Sequence, residues 1–138
     1  MTEEIETILI ADDDGYLRKL LETTLDYNHR KVLTAADGPQ AFELAKKHLP
    51  SVIILDVIMP KMDGIEVCKK VKATSGLSDA FVILLTGHDH TSIGEKANQA
   101  GADAYLTKPF SPLQLIRLVE SRGITSRKPS NAEQDQAN

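Results

Sequence analysis

Five short apolar runs punctuate the chain: Thr7 to Ala11, Lys31 to Ala35, Val52 to Leu55, Phe81 to Leu85 and Ala104 to Leu106. The first, third and fourth are almost unbroken Ile, Val and Leu, the pattern of strands covered on both faces. Between the runs, apolar residues recur at helical spacing. Leu17, Leu20, Leu21, Thr24 and Leu25 mark one face of a first helix, with Asp14 placed to cap its start. Gly38-Pro39 opens a second helix, where a first-turn proline is tolerated, with Ala41, Leu44 and Ala45 facing inward. Gly64, Val67, Cys68 and Val71 suggest a third. Thr91 to Ala100 gives a fourth with a thin stripe of Ile93, Ala97 and Ala100, stopped by Gly101. A fifth starts near Pro112 and carries Leu115, Ile116, Leu118 and Val119. Strands alternating with helices of this length imply right-handed crossovers and a parallel sheet. The expected fold is α/β and doubly wound, over residues 1–122. Residues 123–138 are almost devoid of apolar side chains and are expected to form a disordered tail or the start of a linker.

Composition narrows the classes. The balance of 41% hydrophobic and 26% charged residues over 138 positions is that of one globular domain with a core of its own. Cys68 is the single cysteine, so no intrachain disulfide and no cysteine-based metal site can form. The first residues, Met1-Thr2-Glu3-Glu4-Ile5-Glu6, lack the basic start of a secretory signal, and no run reaches the ~20 apolar residues of a membrane span. A cytoplasmic location without membrane contact is expected. The net charge of −4 argues against a nucleic-acid surface on this chain, though a partner domain could carry one.

In an open parallel sheet, ligands bind beyond the carboxyl ends of the strands, where strand order reverses. The first run ends in Asp12-Asp13-Asp14, the third in Leu55-Asp56, the fourth in Leu85-Thr86-Gly87 and the fifth in Thr107-Lys108-Pro109. If the first and third strands are neighbours, Asp12, Asp13 and Asp56 share one crevice. Three such carboxylates repel and need a compensating cation. Lys108 supplies one charge. Hard oxygen donors without His or Cys favour Mg²⁺, with Mn²⁺ also possible. Mg²⁺ takes few protein carboxylates, which leaves one free as a nucleophile, while Thr86 and Lys108 can hold phosphoryl oxygens. The constellation points to phosphoryl transfer. His88 and His90 beside Asp89 suggest a metal site only as isolated residues, without a partner pattern.

Four segments resemble the signatures of the response regulator receiver family of two-component systems. They are Ile8-Leu9-Ile10-Ala11-Asp12-Asp13, Leu55-Asp56-Val57-Ile58-Met59-Pro60-Lys61-Met62-Asp63-Gly64, Leu84-Leu85-Thr86-Gly87 and Ala100-Gly101-Ala102-Asp103-Ala104-Tyr105-Leu106-Thr107-Lys108-Pro109-Phe110. The resemblance implies a five-stranded sheet in the order 2-1-3-4-5 flanked by five helices. It implies Asp56 as the phosphorylated aspartate. It implies a metal held by Asp12, Asp13, Asp56 and the backbone carbonyl of Ile58. Thr86, Lys108 and Tyr105 match the switch hydroxyl, the phosphate-pairing lysine and the switch aromatic, and the Lys108-Pro109 bond is expected to be cis. The implied donor is a sensor histidine kinase or histidine phosphotransfer protein. The implied readout is a face of the fourth helix, fifth strand and fifth helix, which would engage a downstream protein or a fused output domain. By this resemblance the chain is a phospho-accepting switch that assists its own chemistry, and not an enzyme with a separate substrate.

Departures from the family pattern are Gly87, where Ala is commoner, the flanking Ile58 and His88, and Asp103-Ala104, where the winged-helix branch carries two acidic residues. Arg117 likewise stands one place early for that branch. A haloacid-dehalogenase-type phosphatase also uses a strand-end aspartate, but wants a second one where Ile58 stands. A receiver-like module that signals without phosphorylation is the other alternative; it is disfavoured because Asp56, Thr86 and Lys108 are all present.

Overall fold

The computed structural model describes residues 6–26, 30–87 and 91–124. Ten elements alternate along the chain: β1 (Glu6–Ala11), α1 (Gly15–Leu25), β2 (Arg30–Ala35), α2 (Gly38–His48), β3 (Val52–Asp56), α3 (Gly64–Lys72), β4 (Phe81–Thr86), α4 (Thr91–Ala100), β5 (Ala104–Thr107) and α5 (Pro112–Ile124). The five strands form one sheet in the order β2-β1-β3-β4-β5. Every pairing is parallel, with Ile8 opposite both Val32 and Val52, and Asp56 opposite Leu85. The strand pattern thus reads as expected, with each run extended by one residue at one end or the other.

The unbroken apolar runs follow from burial on both faces. Leu9, Ala11, Ile53, Leu55, Val82 and Leu84 point to the side covered by α2, α3 and α4. Ile8, Ile10, Val52, Ile54, Ile83 and Leu85 point to the side covered by α1 and α5. Each face alternates with period two along its strand. The inner faces of the helices are those the periodicity marks: Leu21 and Leu25 on α1, Ala41 and Ala45 on α2, Val67, Cys68 and Val71 on α3. Leu20 lies at the rim of its helix, 38% exposed, and the side chain of Ile93, expected on the inner face of α4, lies outside the described residues. Truncating one of the buried leucines to alanine removes its transfer energy and leaves a cavity, at about 2–5 kcal/mol.

Helix starts are set by aspartates. Asp14, Asp37 and Asp63 each stand in extended backbone and accept hydrogen bonds from first-turn amides of α1, α2 and α3. Such a cap is worth about 1 kcal/mol. Gly101, at φ +91°, closes α4 in the left-handed region that favours glycine. The family-implied Lys108-Pro109 bond is cis. α5 runs on to Ile124, two residues past the expected end of the domain at 122. Residues 125–138, and with them most of the expected tail, lie outside the described residues, as do His88, Asp89 and His90. Among the described residues, no helix is long and apolar enough to cross a membrane.

Candidate functional site

The strand alternation explains which side chains meet. Ile8 and Ile10 face α1 and α5, and the next position on that side is Asp12. Val52 and Ile54 continue to Asp56, and Ala104 and Leu106 continue to Lys108. Three strand ends therefore turn Asp12, Asp56 and Lys108 to one side at the edge where β1 and β3 diverge in sequence order. The Lys108 ammonium lies 3.4 Å from Oδ2 of Asp12 and 3.4 Å from Oδ2 of Asp56. Asp13, exposed on the rim, completes the cluster: one carboxylate oxygen from each of Asp12, Asp13 and Asp56 lies within 4.8 Å of the others.

The surroundings hold this cluster in place. Asp12 is fully buried, and its Oδ1 accepts the amide of Asp14 at 2.9 Å. Its backbone amide donates to the Ala35 carbonyl at 3.1 Å, tying the end of β1 to that of β2. Its carbonyl accepts Arg18 Nη1 at 2.7 Å. Asp56 is 7% exposed. Burial pushes its carboxyl up to about 6, and the Asp12 carboxylate pushes the same way; Lys108 and the Ile58 amide, which donates to it, pull it back. A carboxyl so raised titrates close to neutrality, and a nearby cation would return it to the ionised, nucleophilic form.

Thr86 and Tyr105 belong to the opposite side of the sheet. Leu84 faces α2 to α4, so Thr86 two places on does too, and Tyr105 pairs with Leu84 across β4 and β5. Thr86 and Tyr105 are thus diagonal neighbours on one face. Thr86 is buried, and its hydroxyl donates to the Gly87 carbonyl at 3.1 Å. The amide of Lys108 donates to the Thr86 carbonyl at 2.7 Å, linking the two strand ends that carry these residues. Tyr105 is 41% exposed, with its hydroxyl 3.2 Å from where a β-carbon on Gly94 would stand. Ile58 projects from the loop after β3 with its side chain 74% exposed, while its neighbours Val57 and Met59 are buried.

Asp12, Asp13, Asp56, Ile58, Thr86, Tyr105 and Lys108 lie along this edge of the sheet, while His88, Asp89 and His90 lie outside the described residues. The carboxylates and Lys108 are in contact; Thr86 and Tyr105 lie on the other face. Glycines that shape the site were not evident as such. A β-carbon on Gly64 would come within 2.3 Å of the Asp56 carbonyl oxygen, and the Gly64 amide donates to the Val57 carbonyl at 2.8 Å. The start of α3 is thereby pressed onto the end of β3. Cys68 is core: its thiol lies 3.5 Å from the Ala100 carbonyl and burial pushes it up to about 11.

Donor chemistry fits a hard divalent cation. The cluster offers only carboxylate oxygens, two from buried or nearly buried residues, close enough to share one ion. Burial first and the Asp12 carboxylate second raise the Asp56 carboxyl, and a cation in the cluster would oppose both.

Fold and site together define an α/β domain with a carboxylate and lysine centre at the switch point of its sheet. The chain belongs to the response regulator receiver domain family, which its residues 8–120 match. It is 41% identical over 113 residues to a probable transcriptional regulator, ycf27, of Guillardia theta, covering 82% of this chain and 43% of that protein. The chain thus spans about half the length of the curated relatives it matches. A putative response regulator from Chloroflexus aurantiacus superposes with a TM-score of 0.80 at 34% identity, covering 86% of this chain and 97% of that one. The receiver domain of a sensor histidine kinase from Pseudomonas aeruginosa, with a magnesium ion coordinated in its active-site cleft, superposes with a TM-score of 0.76 at 28% identity, covering 83% and 94%. Receiver domains are switches in two-component signal transduction.

Proposed function

We propose that this chain accepts a phosphoryl group on Asp56 from the phosphohistidine of a sensor kinase or a histidine phosphotransfer protein. The observation that carries the reading is the near-complete burial of Asp56 in contact with Lys108 and beside Asp12. A carboxylate oxygen of Asp56 attacks phosphorus, the P–N bond breaks, and the electron pair returns to the imidazole; the product is an acyl phosphate. Asp12, Asp13, Asp56 and the Ile58 carbonyl are the groups that would hold Mg²⁺, or Mn²⁺ in its place. Such an ion, when bound, neutralises the clustered carboxylates and draws charge from the phosphoryl oxygens. Lys108 pairs with one phosphoryl oxygen. The Thr86 hydroxyl exchanges its bond to Gly87 for another, and Tyr105 follows into the space on the shared face of β4 and β5.

This exchange biases a pre-existing equilibrium of the α4-β5-α5 face, which then binds a downstream protein or a fused output domain. The relatives named as transcriptional regulators are about twice as long, which fits an output carried outside the matched segment. Direct nucleic-acid contact is assigned to such a partner, since this chain carries a net charge of −4. The proposed setting is the cytoplasm, where kinase and receiver meet. Transfer from a radiolabelled phosphohistidine protein in Mg²⁺ tests the reading. Label on the wild type that hydroxylamine releases, and no label on Asp56→Asn, supports it; equal label on both proteins overturns it.

A further inference from the structure

We infer that the start of α2, Asp37 and Gly38, is a brace that positions the metal-binding carbonyl of Ile58. The inference rests on the Mg²⁺ site proposed above and extends it to an element outside the acidic cluster. The loop from Val57 to Asp63 contains a three-residue turn: the Met62 amide donates to the Pro60 carbonyl at 2.7 Å, with Lys61 between them at φ +72°. A lysine there is strained, and such a conformation persists only where its surroundings enforce it. Two glycines pack against the two ends of this loop. Gly64 is pressed against the Asp56 carbonyl, as described. Gly38 is buried against Met62, where a β-carbon would stand 2.1 Å from the Met62 carbonyl oxygen and 2.6 Å from its Cβ.

Asp37 fixes Gly38 in this contact. Its Oδ1 accepts the Gln40 amide at 2.8 Å, and its Oδ2 lies 3.4 Å from Lys61 Nζ. The Gln40 side chain in turn accepts the Ala36 amide at 2.8 Å. Because the Ala35 carbonyl also holds the Asp12 amide, the brace joins the loop that carries Ile58 to the strand end that carries Asp12. Gly38 is not at positive φ, so what the position requires is space and not conformational freedom. The spacing between the Ile58 carbonyl and the Asp12 carboxylate, which one cation must span, is set through this contact.

Magnesium titration of the full chain by calorimetry tests the inference, with the Ile58 amide resonance followed in parallel. Gly38→Ala should bind Mg²⁺ about tenfold more weakly, as loss of groups that orient metal ligands does, while remaining folded and shifting the Ile58 resonance. Asp37→Ala, which introduces no overlap, should weaken binding severalfold and carries the test if Gly38→Ala does not fold. Ala45→Gly, which destabilises the middle of the same helix away from the loop, should leave affinity unchanged. Wild-type affinity in both Gly38→Ala and Asp37→Ala overturns the brace, as does equal weakening by Ala45→Gly. If the wild type itself binds no Mg²⁺, the metal reading of the site fails, and this inference fails with it.

Discussion

The ammonium of Lys108 lies 3.4 Å from the carboxylate of Asp56, which it reaches from the end of β5. That pairing does not fully offset burial and the charge of Asp12, and the Asp56 carboxyl is left at about 6. The sign of the stability effect follows. The unfolded carboxyl titrates near 3.8 and the folded one near 6, so between these values the native state holds the extra proton. Ionising Asp56 therefore opposes folding; the effect is absent below the lower value and full above the upper.

In metal-free buffer, Asp56→Asn should accordingly be more stable than the wild type at pH 7.5, by on the order of 2–3 kcal/mol. The advantage should shrink toward zero as pH falls through the window to about 4. Urea unfolding with a chelator at both pH values measures it. An advantage that grows on acidification would contradict the assignment.

Added Mg²⁺ should offset this disadvantage of the wild type. A ligand that binds only the native state at a hundred times its Kd stabilises by about 2.7 kcal/mol. The wild type should show that gain in thermal unfolding, and Asp12→Asn and Asp56→Asn should lose most of it. Because the metal requires ionised Asp56, affinity should also weaken below pH 6, approaching tenfold per unit.

Ile58 sets a kinetic prediction. Its β-branched apolar side chain is exposed two residues after Asp56, and the proposed role is to hinder the attacking water. Ile58→Asn should therefore release phosphate from phosphorylated Asp56 severalfold faster than the wild type, as read by the decay of the phosphorylated mass. Equal or slower decay contradicts this role for Ile58.

Gly87 departs from its family without a steric reason. No heavy atom lies within 4 Å of where its β-carbon would stand, and its φ is not in the left-handed region. Gly87→Ala should then stabilise by about 0.4–1 kcal/mol through the unfolded chain. Thermal unfolding against the wild type checks this, and a loss of stability would mean that the alanine conflicts with its surroundings after all.

Most of the fold was legible because burial on both faces leaves unbroken Ile-Val-Leu runs, and because the chemistry of this architecture collects at strand ends. Asp12, Asp56 and Lys108 could be read in that way, since period-two alternation carries each from the core to the edge. What could not be read depends on contacts between distant segments. Gly38 against Met62 and Gly64 against the Asp56 carbonyl look like ordinary helix-start glycines in the sequence. Lys72 likewise binds the Ala80 carbonyl at 2.7 Å and Asp103 at 2.9 Å through its ammonium, locking α3 to the start of β4 and the turn before β5. The end of the domain was placed at 122 because apolar residues thin out there, whereas backbone hydrogen bonding carries α5 to Ile124. Tyr105 shows the same dependence: its hydroxyl lies 3.2 Å from where a β-carbon on buried Gly94 of α4 would stand, a closeness that the sequence does not reveal.

The central claim is that Asp56 takes the phosphoryl group in a metal-dependent reaction. Intact mass after incubation with acetyl phosphate and Mg²⁺ tests it most directly, with Asp56→Asn and a chelator as controls. One added phosphoryl mass on the wild type, absent from both controls, is the predicted result. An adduct that survives the chelator or appears on Asp56→Asn, or no adduct under conditions that label another receiver domain, would contradict it.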